Sequence, residues 1–175
     1  MKIKIVLCLV LFALTSCSNS QPQRIGSRES YGSLSYIVPK GWTSSKHLKV
    51  NGKESYGCHY AEKGKAVQFS VIELKNDSEH SSIKTIIHED LENLIKGLFH
   101  PESKFENTGN RTLDNNNFLY SKAIAVASKN RKVTSLNYLT INKSKIIIIQ
   151  GIYPSIYEKQ FKPIFDKIFY SIKMN

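Results

Sequence analysis

Arginine is scarce in this chain. Of its 25 basic residues 21 are Lys and 4 are Arg, against 14 acidic residues. Lys solvates a surface as a point charge, whereas bidentate recognition of phosphate draws on the planar fork of Arg. The formal charge of +11 therefore reads as solubility, and nucleic acid is not an expected partner. Carboxylates for hydrolysis are sparse and fall mostly in loops and on helix surfaces. Also missing are His-Glu-x-x-His, Gly-x-Ser-x-Gly, a phosphate loop and a dinucleotide fingerprint. No metal site and no cofactor is implied, and the chain is read as non-enzymatic. No apolar run approaches the ~20 residues that a membrane-spanning helix needs. Cysteine is rare too, at positions 8, 17 and 58.

What is present begins at the N-terminus. Met1-Lys2-Ile3-Lys4 is a short basic region, 5–14 is almost unbroken apolar, and Leu14-Thr15-Ser16-Cys17 follows. Charge, greasy core and small residues before a cleavage point are the layout of a secretory signal. The Leu-Thr-Ser-Cys tetrad resembles the lipobox of bacterial lipoproteins. That resemblance implies that 1–16 is a signal peptide and that Cys17 is acylated, anchoring the protein in a bacterial cell envelope. Ser18 stands where an aspartate would signal retention, which by the same resemblance points to an outer membrane and its periplasmic face. Cys8 leaves with the signal, so Cys58 has no disulfide partner and the exported domain must rely on its core. Residues 17–30 read as a tether, with Ile25 the one core candidate. Treated as coil, that stretch spans ~20 Å.

Residues 31–175 then form one domain. Alternation and turn residues predict strands over 34–38, 56–61, 66–74, 105–113, 118–127, 133–141 and 146–153. Pro39-Lys40-Gly41 predicts a turn that delivers Trp42, the single tryptophan, to one end of the core. Val67, Phe69 and Val71 mark a buried face. Ile146-Ile147-Ile148-Ile149 and the Ala123–Ala127 run are apolar on both faces, as strands covered above and below are. Steps of three and four from Ile83 to Phe99 predict a long amphipathic helix, closed by Pro101. A second helix over 155–173 carries Ile156, Phe161, Ile164, Phe165, Ile168, Phe169 and Ile172 on one face. Pro163 inside that pattern predicts a break, with the main helix starting near Lys162.

A strand into Ile37-Val38-Pro39-Lys40-Gly41-Trp42, a middle helix, a meander and a closing Ile168-Phe169-Tyr170-Ser171-Ile172-Lys173 resemble the PsbP-like fold over 31–175. Small bacterial lipoproteins and secreted proteins of unassigned function use that fold. The resemblance implies an α+β sandwich: an antiparallel sheet of six to seven strands with two main helices packed on it. The photosynthetic role of the founding family carries over on no residue here.

Candidate chemistry is thin. Cys58 and His59 are adjacent on a strand, where side chains point to opposite faces, so they cannot act together. His88 and Glu92 share a helix face, but no third ligand accompanies them. Lys63 and Lys65, then Lys129, Arg131 and Lys132, then Lys143 and Lys145 make three basic turns. No aromatic residue is interleaved to stack bases. The second and third turns fall at opposite ends of a meander and cannot form one patch. The leading expectation is a membrane-anchored accessory or inhibitor module that binds another envelope or exported protein. The alternative is a small-ligand binder with a pocket between sheet and helix and Trp42, Tyr56 or Tyr60 at its mouth. A cryptic hydrolase is the third.

Overall fold

The computed structural model describes residues 26–50, 53–62, 65–76, 104–128 and 131–175. The elements are β1 (Arg28–Tyr31), β2 (Leu34–Ile37), β3 (Thr43–Val50), β4 (Lys53–Glu62), β5 (Lys65–Lys75), β6 (Lys104–Leu113), β7 (Asn116–Ser128), β8 (Arg131–Asn142) and β9 (Lys145–Pro154). A 3₁₀ turn (Ser155–Tyr157), helix α1 (Glu158–Tyr170) and β10 (Lys173–Met174) close the chain.

Seven strands form one antiparallel sheet in the order β3-β4-β5-β9-β8-β7-β6, and β1-β2-β10 form a small second sheet. The predicted meander is β6 to β9, with β9 inserted beside β5. Its turns show their chemistry locally. Asp114 and Asn115 link β6 to β7 at φ of 47° and 61°, the left-handed pair of a tight hairpin that such residues tolerate. Gly41 at φ 78° closes the Pro39 turn, where Trp42 N–H donates to the Pro39 carbonyl at 3.2 Å.

The large sheet is buried on both faces by different means. One face carries Tyr56, Cys58, Val67, Phe69, Val71, Phe118, Tyr120, Leu136, Tyr138, Ile147, Ile149 and Tyr153. Against it lie α1, through Phe161, Phe165, Ile168 and Phe169, and the small sheet, through Leu34 and Tyr36. Phe161, Phe165 and Phe169 fall one turn apart, which sets them in a single stripe on the sheet. Burying each such ring contributes ~2 kcal/mol or more from apolar area alone. Gly151 seats the helix, because a Cβ there would stand 2.5 Å from the Phe165 ring. The other face carries Leu119, Ala123, Leu139 and Ile148, with Ile72, Leu74, Phe105, Ile141 and Ile146 packed against them. Ile147 and Ile149 thus serve one cluster and Ile148 the other, as the two-faced isoleucine run predicts.

Several expectations are corrected. Helix α1 begins at Glu158, so Pro163 lies inside it and not in its first turn. Proline removes the bond to the Lys159 carbonyl, but Lys159 and Pro163 are both exposed, so water takes that carbonyl at little cost. Burial of Phe161 is gained by extending the helix to the earlier start. Ile156 does not join the apolar face; it is 83% exposed on the 3₁₀ turn, where the three-residue pitch rotates it outward. Arg28, Glu29 and Ser30, assigned to the tether by composition, are paired with β2. Strands β3 and β10 were not expected, since Thr43–Val50 lacks apolar alternation and β10 has two residues. Among the described residues there is one α-helix; the helix expected over 83–99 lies outside them.

Candidate functional site

Cys17 lies outside the described residues, as do Lys63, His88, Glu92 and Lys129. The remaining candidates separate clearly. Trp42 sits in the core, its ring centroid 5.6 Å from Phe165 and 6.1 Å from Tyr60. Tyr56 is buried beside Tyr31, with ring centroids 5.1 Å apart, and only Tyr60 is partly exposed. The space between sheet and helix is filled by rings: Tyr138 and Phe169 are 4.3 Å apart, Tyr36 and Phe69 4.8 Å, Tyr153 and Phe165 5.3 Å. Two of the three proposed mouth residues are therefore structural.

Cys58 is 1% exposed among these rings, and burial pushes its thiol well above the ordinary range. A thiol held protonated is a poor nucleophile. His59 points to the opposite face, as the strand period requires. There its Nδ1 meets Ser45 Oγ at 3.0 Å. That Ser–His contact was missed because the two residues are 14 apart in sequence and join through β3, a strand without an apolar signature. The register shifts between Ser45 and Leu48, and a bulge of this kind re-aims a side chain. Hydrolytic chemistry needs a third group that orients the histidine. Among the described residues no carboxylate holds the other ring nitrogen, and none cluster with His or Cys as a metal site.

A polar row crosses the centre of that second face. Asn137 Nδ2 donates to Ser121 Oγ at 3.3 Å. Its Oδ1 accepts from Ser135 Oγ and from Gln150 Nε2, each at 2.9 Å. In register, Ser121, Asn137, Gln150 and Ser70 lie side by side on four neighbouring strands. All are buried. A hydrogen-bonded row of this kind fixes strand register, since a slip by one residue would turn its members to the face that carries Phe69, Tyr120 and Tyr138.

Glu73 is the second polar feature that the sequence did not expose. Its carboxylate accepts from Tyr56 Oη at 3.0 Å, from the Ser33 backbone N–H and from Lys145 Nζ. Burial alone would raise its pKa, but these donors together hold it below the usual carboxylate value. Gly32 at φ 54° leaves no Cβ to collide with that carboxylate. The clip fastens the β1–β2 turn to the large sheet.

Arg131, Lys132, Lys143 and Lys145 are exposed at two ends of the sheet, because β8 runs between them. The second and third basic turns form no single patch. No described helix is long and apolar enough to cross a membrane.

Seven antiparallel strands, a helix along one face and a small three-stranded sheet beside it make a PsbP-like fold. The solved structures that share it include cyanobacterial PsbP (CyanoP) from Synechocystis, at 16% identity and a TM-score of 0.66, covering 93% of this chain and 99% of that one. LpqN of Mycobacterium tuberculosis, described as involved in cell envelope biogenesis, matches at 14% identity and a TM-score of 0.54, over 86% and 85% of the two chains. The Ran-binding protein Mog1p of Saccharomyces cerevisiae matches at 13% identity and a TM-score of 0.52, over 85% and 95%. At these identities the likeness is one of fold. No family model matches the chain, and no curated protein matches it either.

Proposed function

We propose that this is a lipid-anchored protein of a bacterial cell envelope whose domain is a non-enzymatic module for binding another envelope or exported protein. One observation carries the recognition half: aromatic rings fill the space between sheet and helix where a ligand pocket would lie. A domain solid at that point meets its partner on its surface. Two fold neighbours agree in kind, since LpqN is described by a role in envelope biogenesis and Mog1p by binding a protein. The anchor half rests on the basic, apolar and Leu14–Cys17 sequence, with acylation at Cys17 and, from Ser18, an outer-membrane site facing the periplasm. Replacing Cys17→Ser should abolish incorporation of labelled fatty acid; label that persists would refute the anchor.

A second helix over 83–99 belongs to the same proposal. Steps of three and four from Ile83 to Phe99 are the observation that supports it.

The test of recognition is cross-linking in native cells followed by capture with the purified protein. The same exported or envelope protein should appear in both, and chelator should not release it. A hydrolase screen addresses the competing reading that the Ser45–His59 contact favours. Turnover that disappears in Ser45→Ala, with no partner captured, would replace binding by catalysis.

A further inference from the structure

The outer face of the small sheet is where the tether joins the domain, and its surface chemistry differs from the rest. Register places Arg28 opposite Ile37, and Ser30 in line with Ser35 and Lys173. Leu34 and Tyr36 point into the core, so this alternate set points out. Arg28 is fixed across that face, donating to Ser35 Oγ at 3.1 Å and to the Ser171 carbonyl at 2.9 Å. The Ile37 N–H donates to Ser171 Oγ at 2.9 Å. Tyr170 precedes Ser171 and is 79% exposed, while Ile37 is 37% exposed. These are two of the three large hydrophobic side chains that the described residues expose. Arg28 on this face is exposed, as are Lys40, three residues after Ile37, and Lys167, one helical turn before Tyr170. Lys173 is exposed but pairs with Asp114, while Glu29 accepts from Tyr31 and Asp166 pairs with Lys162.

We propose that this face lies against the anionic headgroups of a phospholipid bilayer, with Tyr170 and Ile37 in the interfacial layer and Arg28, Lys40 and Lys167 on phosphate. The proposal rests on the anchor at Cys17. Geometry then excludes the far side of the domain from the membrane. Cys17 and Arg28 are eleven residues apart, which reach at most ~40 Å when fully stretched, while half the circumference of a domain this size is ~60 Å. The far side cannot come round to the bilayer, and the face where the tether joins can. A Tyr with basic neighbours is the composition that settles at a headgroup layer. Each basic residue close to an anionic surface strengthens attachment about fivefold.

Cys58 is buried and poorly reactive and an acylated Cys17 has no free thiol, so single surface cysteines can be labelled selectively; a protein found unacylated is labelled as its Cys17→Ser variant. The protein purified from membranes, carrying an environment-sensitive fluorophore at Ser30→Cys, Tyr170→Cys or Lys132→Cys at the opposite end of the large sheet, is mixed with phosphatidylethanolamine–phosphatidylglycerol vesicles containing nitroxide lipid. Mass spectrometry records whether Cys17 is acylated. Labels at 30 and 170 should shift to shorter wavelength and be quenched, and the label at 132 should not. Lys40→Gln with Lys167→Gln, or pure phosphatidylcholine, should withdraw the two labels while the acylated protein still floats with vesicles. Equal quenching at all three sites, or none with the protein afloat, overturns the face and leaves the anchor standing. An unacylated protein whose labels at 30 and 170 are still quenched overturns the anchor alone; one that shows no quenching overturns both.

Discussion

The two faces of the large sheet are built from different materials. Beneath α1 the contacts are aromatic, meeting edge-on or tilted at Trp42–Phe165, Phe69–Phe169 and Tyr138–Phe169 and stacked at Tyr153–Phe165. On the other face the contacts are aliphatic at one end and hydrogen-bonded across the middle. Rings fill volume and tolerate small shifts, whereas the Ser121–Asn137–Gln150 row is satisfied in one register only. One face thus supplies most of the apolar burial, and the other supplies the alignment of strands. Substitutions on the two faces should fail in different ways.

The largest effect should come from Ile148→Asp. It places an unpartnered carboxyl between Leu139 and Ile72 on the neighbouring strands, and burying such a group costs several kcal/mol, comparable to a domain's whole stability. No cooperative unfolding transition should remain, by circular dichroism against denaturant. Next comes Phe165→Ala. Its ring touches Trp42, Tyr153 and Phe169, so its loss should cost ~3–5 kcal/mol and shift the emission of Trp42 to longer wavelength while strand content is kept.

Asn137→Ala should cost ~1–3 kcal/mol, because the Gln150 amide loses its acceptor and stays buried. The same position as Asn137→Ser, which keeps part of the row, should recover some of that loss. Equal losses for Ala and Ser would mean that the row is passive filling and would erase the contrast between faces. The smallest effect is acid sensitivity at Glu73. Its carboxyl is held below the ordinary value in the fold, so the clip's contribution is complete above the unfolded value. It is lost as pH falls through the folded one. Glu73→Gln should flatten stability in the acid limb of a pH series and change it little once the pH lies below the folded value of that carboxyl.

Most of the large sheet was legible in sequence because its strands alternate or run apolar throughout, and its hairpins carry Asn, Asp, Gly and Lys at the turns. Trp42 and Cys58 were legible for the same local reason: a turn or a strand period places them. Glu73 was not, since its partners Ser33, Tyr56 and Lys145 come from three distant segments. Nor were β1 and β10, because four and two residues hold no periodicity and become strands only through β2. Ser45 and His59 share that difficulty. The sequence showed no chemistry in Ser45 until β3 set it beside β4.

The small sheet has a consequence in time. Its middle strand, β2, is flanked on one side by β1, which precedes it, and on the other by β10, which follows every other element. A chain delivered N-terminus first can form β1 against β2 early, but the second edge of β2 stays open until residues 173–174 arrive. With them come the Lys173–Asp114 pair and the Met174 N–H bond to the same carboxylate. The small sheet therefore closes late in any N-to-C order of folding: one edge of β2 is satisfied at once by its sequence neighbour and the other waits for a strand more than 130 residues downstream.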